Sequence, residues 1–338
     1  MTAPLRLRLD GAALVSNWRH LAKLGGAASC GAAIKANGYG LGARDVAARL
    51  AEAGCRDFFV ATWGEAAALA GLGVPVSVLH GVGAEDALDA PHARPVLSTA
   101  EQVKRWKPTG RPCDVMVDTG MNRLGVSAEE IGAGLLDGLA IETLMSHLVS
   151  ADEDVPLNAR QLAAFGALKG RTPAKRMSLA NSAGIALGAD YAFDLTRPGI
   201  ALYGGRQRPG HDAIRQVATP EAQILQRRRV RAGENVGYNA TWIAPADTEV
   251  AILNLGYADG YLRCFSGRGS AMVAGVGLPV IGRVSMDLTA IDVTALPELR
   301  EGDWVAMSYG LPETAALSGL SQYELLTGLG GRFDRIWA

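Results

Sequence analysis

The sequence has no long hydrophobic run. No apolar stretch approaches the roughly 20 residues that a membrane-spanning helix needs, so no spanning segment is expected. The opening Met-Thr-Ala-Pro-Leu-Arg-Leu-Arg-Leu-Asp10 alternates apolar and basic residues, unlike the continuous apolar core of a secretory signal. Cysteine is scarce: Cys30, Cys55, Cys113 and Cys264 show no Cys-x-x-Cys spacing, which argues against a disulfide scaffold and a zinc site. Three of them lie in apolar runs and read as buried free thiols of a reducing compartment, so a cytoplasmic protein is expected. The five histidines (His20, His80, His92, His147, His211) are too dispersed to suggest a metal set. Neither sign of charge dominates, and a net charge of -1 leaves no footprint for nucleic acid or an anionic membrane. The basic cluster Arg227-Arg228-Arg229-Val-Arg231 is short and reads as a solvated face or strand edge.

What is present is a long, ordinary globular composition: 338 residues, 49% hydrophobic, enough for about two domains. The first two-thirds alternates short apolar runs with amphipathic stretches. Strands are expected at 29–34, 57–61, 76–79, 95–98, 113–118, 141–147, 176–179 and 193–196, with helices at 43–53, 64–70, 99–106, 128–136, 157–168 and 182–187 between them. Strand–helix alternation predicts a parallel sheet, and eight such units predict closure into an α/β (β/α)8 TIM-type barrel. A doubly wound open sheet is the alternative. After about Thr219 glycine and β-forming residues take over, with strands expected at 248–255, 270–274, 280–284, 289–293 and 303–308 and a short helix at 321–326. This predicts a barrel over residues 12–218, then a smaller, mainly antiparallel β domain over 219–338, joined by a strand from residues 1–11.

Lys35 sits at the mouth of the first strand, in Gly31-Ala-Ala-Ile-Lys35-Ala-Asn-Gly-Tyr39-Gly-Leu-Gly42. The glycines predict a tight loop leading into a helix. Burial there lowers an amine's pKa and makes it a usable nucleophile for Schiff-base chemistry, whereas most strand-end lysines only reach to water. Gly38-x-Gly40-x-x-Ala43 also fits a dinucleotide fingerprint, which would make the chain an NAD-dependent oxidoreductase. That fingerprint wants an acid at the end of the next strand, and 57–61 carries its only acid at the start.

Barrel active sites lie at the C-terminal ends of the strands. Lys35 and Tyr39 follow strand one, Asp118-Thr-Gly-Met-Asn-Arg123 strand five, Ser146-His147 strand six, Ala180-Asn181-Ser182 strand seven and Arg197-Pro-Gly199-Ile200 strand eight. Each has a plain local explanation, but together they fall on one rim. Ser182 and Gly199-Ile200 occupy the region where barrels commonly hold phosphate. A phosphate site opposite a strand-one lysine suggests pyridoxal 5'-phosphate.

These segments, with Val236-Gly-Tyr238-Asn-Ala-Thr241-Trp242, Gly256-Tyr257-Ala-Asp259-Gly260 and Gly282-Arg283-Val-Ser285-Met286-Asp287, resemble the motifs of the alanine racemase family, in that family's order and over nearly the whole chain. The resemblance implies a PLP-dependent, homodimeric isomerase that interconverts L- and D-alanine in the cytoplasm, for peptidoglycan precursors or in catabolism. It implies Lys35 as cofactor attachment and one catalytic base, and Tyr238 of the other subunit as the opposing base. It gives Arg197 to the pyridine nitrogen, His147 to a link between Arg197 and Tyr238, and Arg123 to the cofactor and the substrate carboxylate. Tyr39, Ser182, Gly199 and Ile200 would hold the phosphate, Met286 would reach the partner's substrate, and Tyr257 would line the entrance. No metal and no nucleic acid are implied. Two positions depart from the family's pattern. Met116 stands where a modified lysine often steadies the arginine, and Gly331 where a tyrosine often narrows the site. The second departure opens a broader specificity that includes serine. Rivals within PLP barrels are a basic amino-acid decarboxylase, which would need an acid at the pyridine nitrogen, and a single-domain PLP-homeostasis protein, which lacks the second domain and Tyr238.

Overall fold

The computed structural model describes residues 5–86 and 90–338. The chain divides into two compact units, Ala13–Arg215 and the N-terminal residues through Ala12 with Gln216–Ala338.

In Ala13–Arg215, seven parallel strands lie side by side in chain order: Ala32–Ala33, Phe58–Val60, Val76–Val78, Ala93–Leu97, Cys113–Met116, Ile141–Met145 and Arg176–Ser178. An eighth, Leu195–Thr196, pairs in parallel with Ser29–Cys30, which runs into the first. Its flanks reach the seventh strand, Asp194 N–H donating to the Met177 carbonyl at 3.0 Å and Arg197 N–H to the Ala180 carbonyl at 2.8 Å, so the ring closes as a TIM-type barrel. The strands are buried almost throughout, as a parallel ring covered by helices requires. Gly31 stands between Ser29–Cys30 and Ala32–Ala33, where a Cβ would lie 2.8 Å from the Asp57 carbonyl oxygen.

Several strands end one or two residues before the apolar pattern does. Ser146-His147 and Val117-Asp118 are expected as strand but lie past the regular strands, although Ser146 N–H still donates to the Ser178 carbonyl at 3.0 Å and Val117 N–H to the Met145 carbonyl at 2.8 Å. Helices Ala43–Ala53, Ala100–Trp106 and Pro156–Gly166 lie close to their expected places. The helix Gly11–Leu24 has no counterpart among the expected elements, although Ala13, Leu14, Asn17 and Leu21 are buried at helical spacing. Asn17 hides the pattern, being polar yet buried; its amide donates to the carbonyls of Leu202 and Arg215.

At the opposite end of the strands from the rim, Asp114 is fully buried and accepts from Ser77 Oγ (2.6 Å) and Arg94 Nε (2.8 Å). Arg176 pairs with both oxygens of Asp57, at 2.7 and 3.1 Å. These paired charges are structural, in keeping with the role of that end of a barrel.

The second unit is built on one 13-residue strand, Ala218–Val230. It pairs antiparallel with Leu5–Leu9, Trp304–Met307 and Thr248–Leu253, bending at a bulge between Ile224 and Gln226. Thr289–Asp292, Val276–Ile281 and Ser270–Val273 complete a closed ring of six strands. Leu5–Leu9 joins the sheet as expected, and Asp334–Trp337 pairs on its other side in parallel. The long strand is hard to read in sequence because its Arg227–Arg229 end is polar on both faces; those arginines bond Glu249, Gln226 and Asp247.

Candidate active site

Lys35 follows the first barrel strand directly. The backbone beyond it is not the simple loop expected: Ala36, Asn37, Gly38 and Tyr39 take φ values of 52, 54, 64 and 56°, a complete left-handed turn. Each non-glycine L-residue there costs roughly 1–2 kcal/mol, so the surroundings must hold it. Gly40 N–H closes onto the Ala36 carbonyl at 2.9 Å, and Asn37 Oδ1 accepts from Ala43 N–H at 3.0 Å. Gly38 abuts the start of the next helix, where an added Cβ would be 3.1 Å from Ala43. The glycine pattern that mimics a dinucleotide fingerprint serves this turn.

The turn delivers Tyr39 inward. Its ring packs on Tyr203 with centroids 4.7 Å apart and planes tilted by 30°, and Tyr203 donates to the Ala33 carbonyl at 2.9 Å. The Tyr39 hydroxyl lies against Gly199 so closely that a Cβ there would be 2.2 Å away. Ser182 Oγ, nearly fully buried, accepts from the N–H groups of Gly199 (2.8 Å) and Ala201 (3.2 Å), which leaves its own proton to donate. Ile200 is fully buried, and its N–H donates to no acceptor among the described residues. Tyr39, Ser182, Gly199 and Ile200 thus lie together, with the Ser182 hydroxyl proton and the Ile200 N–H available to donate, as an oxyanion group requires.

Arg197 is buried, and its terminal nitrogens donate to Ser178 Oγ and the Ser146 and Leu179 carbonyls. Among the described residues its Nε has no hydrogen-bond partner and no carboxylate pairs with the guanidinium. Burial lowers its pKa to about 10, still a cation near neutrality. His147 is pushed down to about 3, first by burial and then by Arg197, Arg123 and Lys35, so its ring is neutral. Lys35 is lowered by desolvation and by Arg123, against an opposing pull from Glu65. The described rim is thus rich in donors and cations, which suits a multiply anionic ligand.

Arg123 projects from a loop fixed through its backbone. Asp118 Oδ1 accepts from Gly120 N–H (2.8 Å) and Met121 N–H (2.9 Å), and Gly125 lies so close that a Cβ would be 2.3 Å from Asp118 N. Arg123 is exposed, and no described side chain bonds its guanidinium. The residues that sequence reasoning missed are its supports. Gln161 braces the rim by donating to the His147 carbonyl (3.0 Å) and Thr119 Oγ1 (3.1 Å). Ser178, a lone hydroxyl in the apolar Met177-Ser178-Leu179, fixes Arg197. Glu65 reads in sequence only as the last position of a Thr62 capping box.

Tyr238, Tyr257 and Met286 belong to the second unit. Tyr238 tips a small hairpin between Asn235–Val236 and Trp242–Ile243, whose base packs on Val230, Val250 and Ile281. Tyr238 is 65% exposed and Met286 55% exposed, so each is only partly covered. Tyr257 N–H and Ala258 N–H donate to the Ser285 and Met286 carbonyls, both at 3.0 Å, which joins those two loops.

A closed parallel barrel with its donor-rich rim at the C-terminal strand ends is the architecture of barrel enzymes. The family description "Alanine racemase, N-terminal domain" matches residues 9–207, and "Alanine racemase, C-terminal domain" matches 217–337. The alanine racemase of Methylobacterium nodulans is 44% identical, with 98% of this chain and 95% of that one covered. That of Acidiphilium cryptum is 41% identical, with 98% of each chain covered. The crystal structure of alanine racemase from Bartonella henselae with covalently bound pyridoxal phosphate is 34% identical and superposes with a TM-score of 0.89, covering 99% of this chain and 100% of that one. The chain belongs to the alanine racemase family, a family of isomerases.

Proposed function

We propose that the protein interconverts L- and D-alanine with pyridoxal 5'-phosphate, using Lys35 and a partner subunit's Tyr238 as acid–base groups. The observation that carries this reading is the Lys35 rim, where a desolvated amine shares one mouth with Arg123, His147 and Arg197. The residues fit the cofactor. The Tyr39–Ser182–Gly199–Ile200 seat would hold its phosphate, Arg197 its ring nitrogen, and Lys35 its aldehyde carbon. Bound, the cofactor supplies an electron sink that acidifies the Cα–H bond of an amino acid.

The protein's own groups then decide the outcome. Arg197 stays a cation and gives up no proton, so a ring nitrogen held there would remain unprotonated and electron withdrawal would be limited. Limited withdrawal favours returning the proton to Cα over losing it elsewhere. Arg123 holds the substrate carboxylate. Lys35 Nζ takes or returns a proton on one face, and Tyr238 Oη does so on the other. The exposure of Tyr238 and Met286 supports their serving a second protomer's site in a homodimer. Among the described residues no helix is long and apolar enough to cross a membrane, and four free cysteines suit a cytoplasmic location.

The test is a racemisation assay over a panel of L-amino acids, paired with borohydride reduction and peptide mapping. Alanine turnover with the pyridoxyl group on Lys35 is the expected result. Pyridoxyl on another lysine, or no racemisation, overturns the reading. A second reading, in which serine is also accepted, is favoured by the open space around Gly331, where a Cβ would meet nothing within 4 Å.

A further inference from the structure

Glu65 does more than cap a helix. A capping box needs its carboxylate only to reach back to the N-cap amide, and that contact, from Thr62 N–H, is the longest it makes, at 3.4 Å. Its short bonds go elsewhere. Oε2 accepts from Ala61 N–H at 2.7 Å, past the second strand, and Oε1 accepts from Ala36 N–H at 2.6 Å. Ala36 opens the left-handed turn and follows Lys35 directly. One carboxylate therefore staples the ends of two adjacent barrel strands at the residue beside the amine. It also holds a backbone that its own residues disfavour.

We propose that Glu65 is a positioning residue for Lys35, fixing the amine in the orientation that captures the cofactor's aldehyde. The proposal rests on Lys35 being the attachment residue. Capture joins Nζ to the aldehyde carbon and releases water, so its rate depends on how often the amine points into the site. A freed Ala36 amide lets the strained turn relax and swing the amine away. Arg123 and His147 also face Lys35, and neither bonds its backbone.

Three variants test this. Glu65→Gln keeps the size but offers one acceptor oxygen, so one staple is lost. Glu65→Asp keeps the charge but is too short to span both strands. Thr62→Ala removes only the cap hydroxyl, which Glu65 N–H contacts at 3.2 Å. Holoenzyme is stripped with hydroxylamine, pyridoxal 5'-phosphate is re-added, and the absorbance of the lysine-bound form is followed beside a melting curve. Losing a charge-assisted bond should slow capture by about 10- to 100-fold in both Glu65 variants. Thr62→Ala should lower Tm yet capture at the wild-type rate. Wild-type capture rates in Glu65→Gln or Glu65→Asp, or slowing in all three that merely tracks Tm, overturn the proposal. Borohydride mapping separates the two readings. Pyridoxyl on another lysine defeats the functional assignment, whereas pyridoxyl on Lys35 with unchanged rates defeats only the role of Glu65.

Discussion

Arg332 Nε donates to Asp259 Oδ1 at 2.6 Å, tying the C-terminal segment to the loop that carries Tyr257. The same guanidinium reaches Asp287 Oδ1 at 2.8 Å, beside Met286. Asp259 is fully buried and also accepts from Gly256 N–H at 2.9 Å. One arginine thus clamps both loops that bear the expected substrate-facing residues of this unit, and Gly331 is its neighbour in the chain.

Gly331→Tyr should fold normally and narrow specificity. The residue is exposed, its φ lies outside the left-handed region, and an added Cβ meets nothing within 4 Å. The ratio of kcat/KM for L-serine to that for L-alanine should fall by up to about 10- to 200-fold, the range that one small group in a pocket commands. An unchanged ratio would show that Gly331 does not shape the pocket.

Arg332→Ala should loosen both loops. It leaves the buried Asp259 carboxylate without its guanidinium, a loss of about 1–3 kcal/mol. Urea denaturation measures that loss, and KM for alanine should rise with it. A variant as stable as wild type would mean that Gly256 N–H alone satisfies Asp259.

Inactive Lys35→Ala and Tyr238→Phe protomers should complement each other when mixed. In a two-fold dimer with shared sites, a mixed dimer has one intact composite site, and exchange restores up to about a quarter of wild-type activity. No recovery despite proven subunit exchange would sink the shared-site reading.

Tyr238→Phe should act on the two enantiomers unequally. If Lys35 serves the D-substrate and Tyr238 the L-substrate, deuterium wash-out from L-alanine should fall by more than the typical 10²–10⁴-fold share of one general base. Wash-out from D-alanine should fall far less. Equal single-turnover losses would refute the face assignment.

His147 should make the fold acid-sensitive. Its pKa of about 3 in the fold lies below the ordinary 6.5, so between those values only the unfolded chain takes up the proton. Its contribution to stability is therefore intact above pH 6.5 and falls as pH drops toward 3, by up to about 1.4 kcal/mol per pH unit. The stability difference between wild type and His147→Asn should shrink across that window. A difference independent of pH would contradict a buried neutral imidazole.

The sequence by itself determined the strand–helix rhythm, the parallel barrel, the change of character near Thr219 and the rim positions of Lys35, Arg123, His147, Ser182 and Arg197. These are legible because apolar period and strand order are local properties, and because strand ends of a barrel fall on a common rim. Tertiary structure alone decided the rest. The left-handed turn at Ala36–Tyr39 is hard to read locally, since alanine, asparagine and tyrosine all prefer other backbone regions, and the distant Glu65 carboxylate adds to the short-range bonds that keep them there. Glu65, Gln161 and Ser178 look like a cap, a helix residue and a strand residue until their partners 29, 14 and 19 positions away are brought beside them. The long strand Ala218–Val230 is polar at one end, and it is a strand because three other strands pair with it. Spacing along the chain placed Lys35, Arg123, His147, Ser182 and Arg197 at strand ends, and long-range hydrogen bonds fix the backbone beside Lys35 and His147 and the side chain of Arg197.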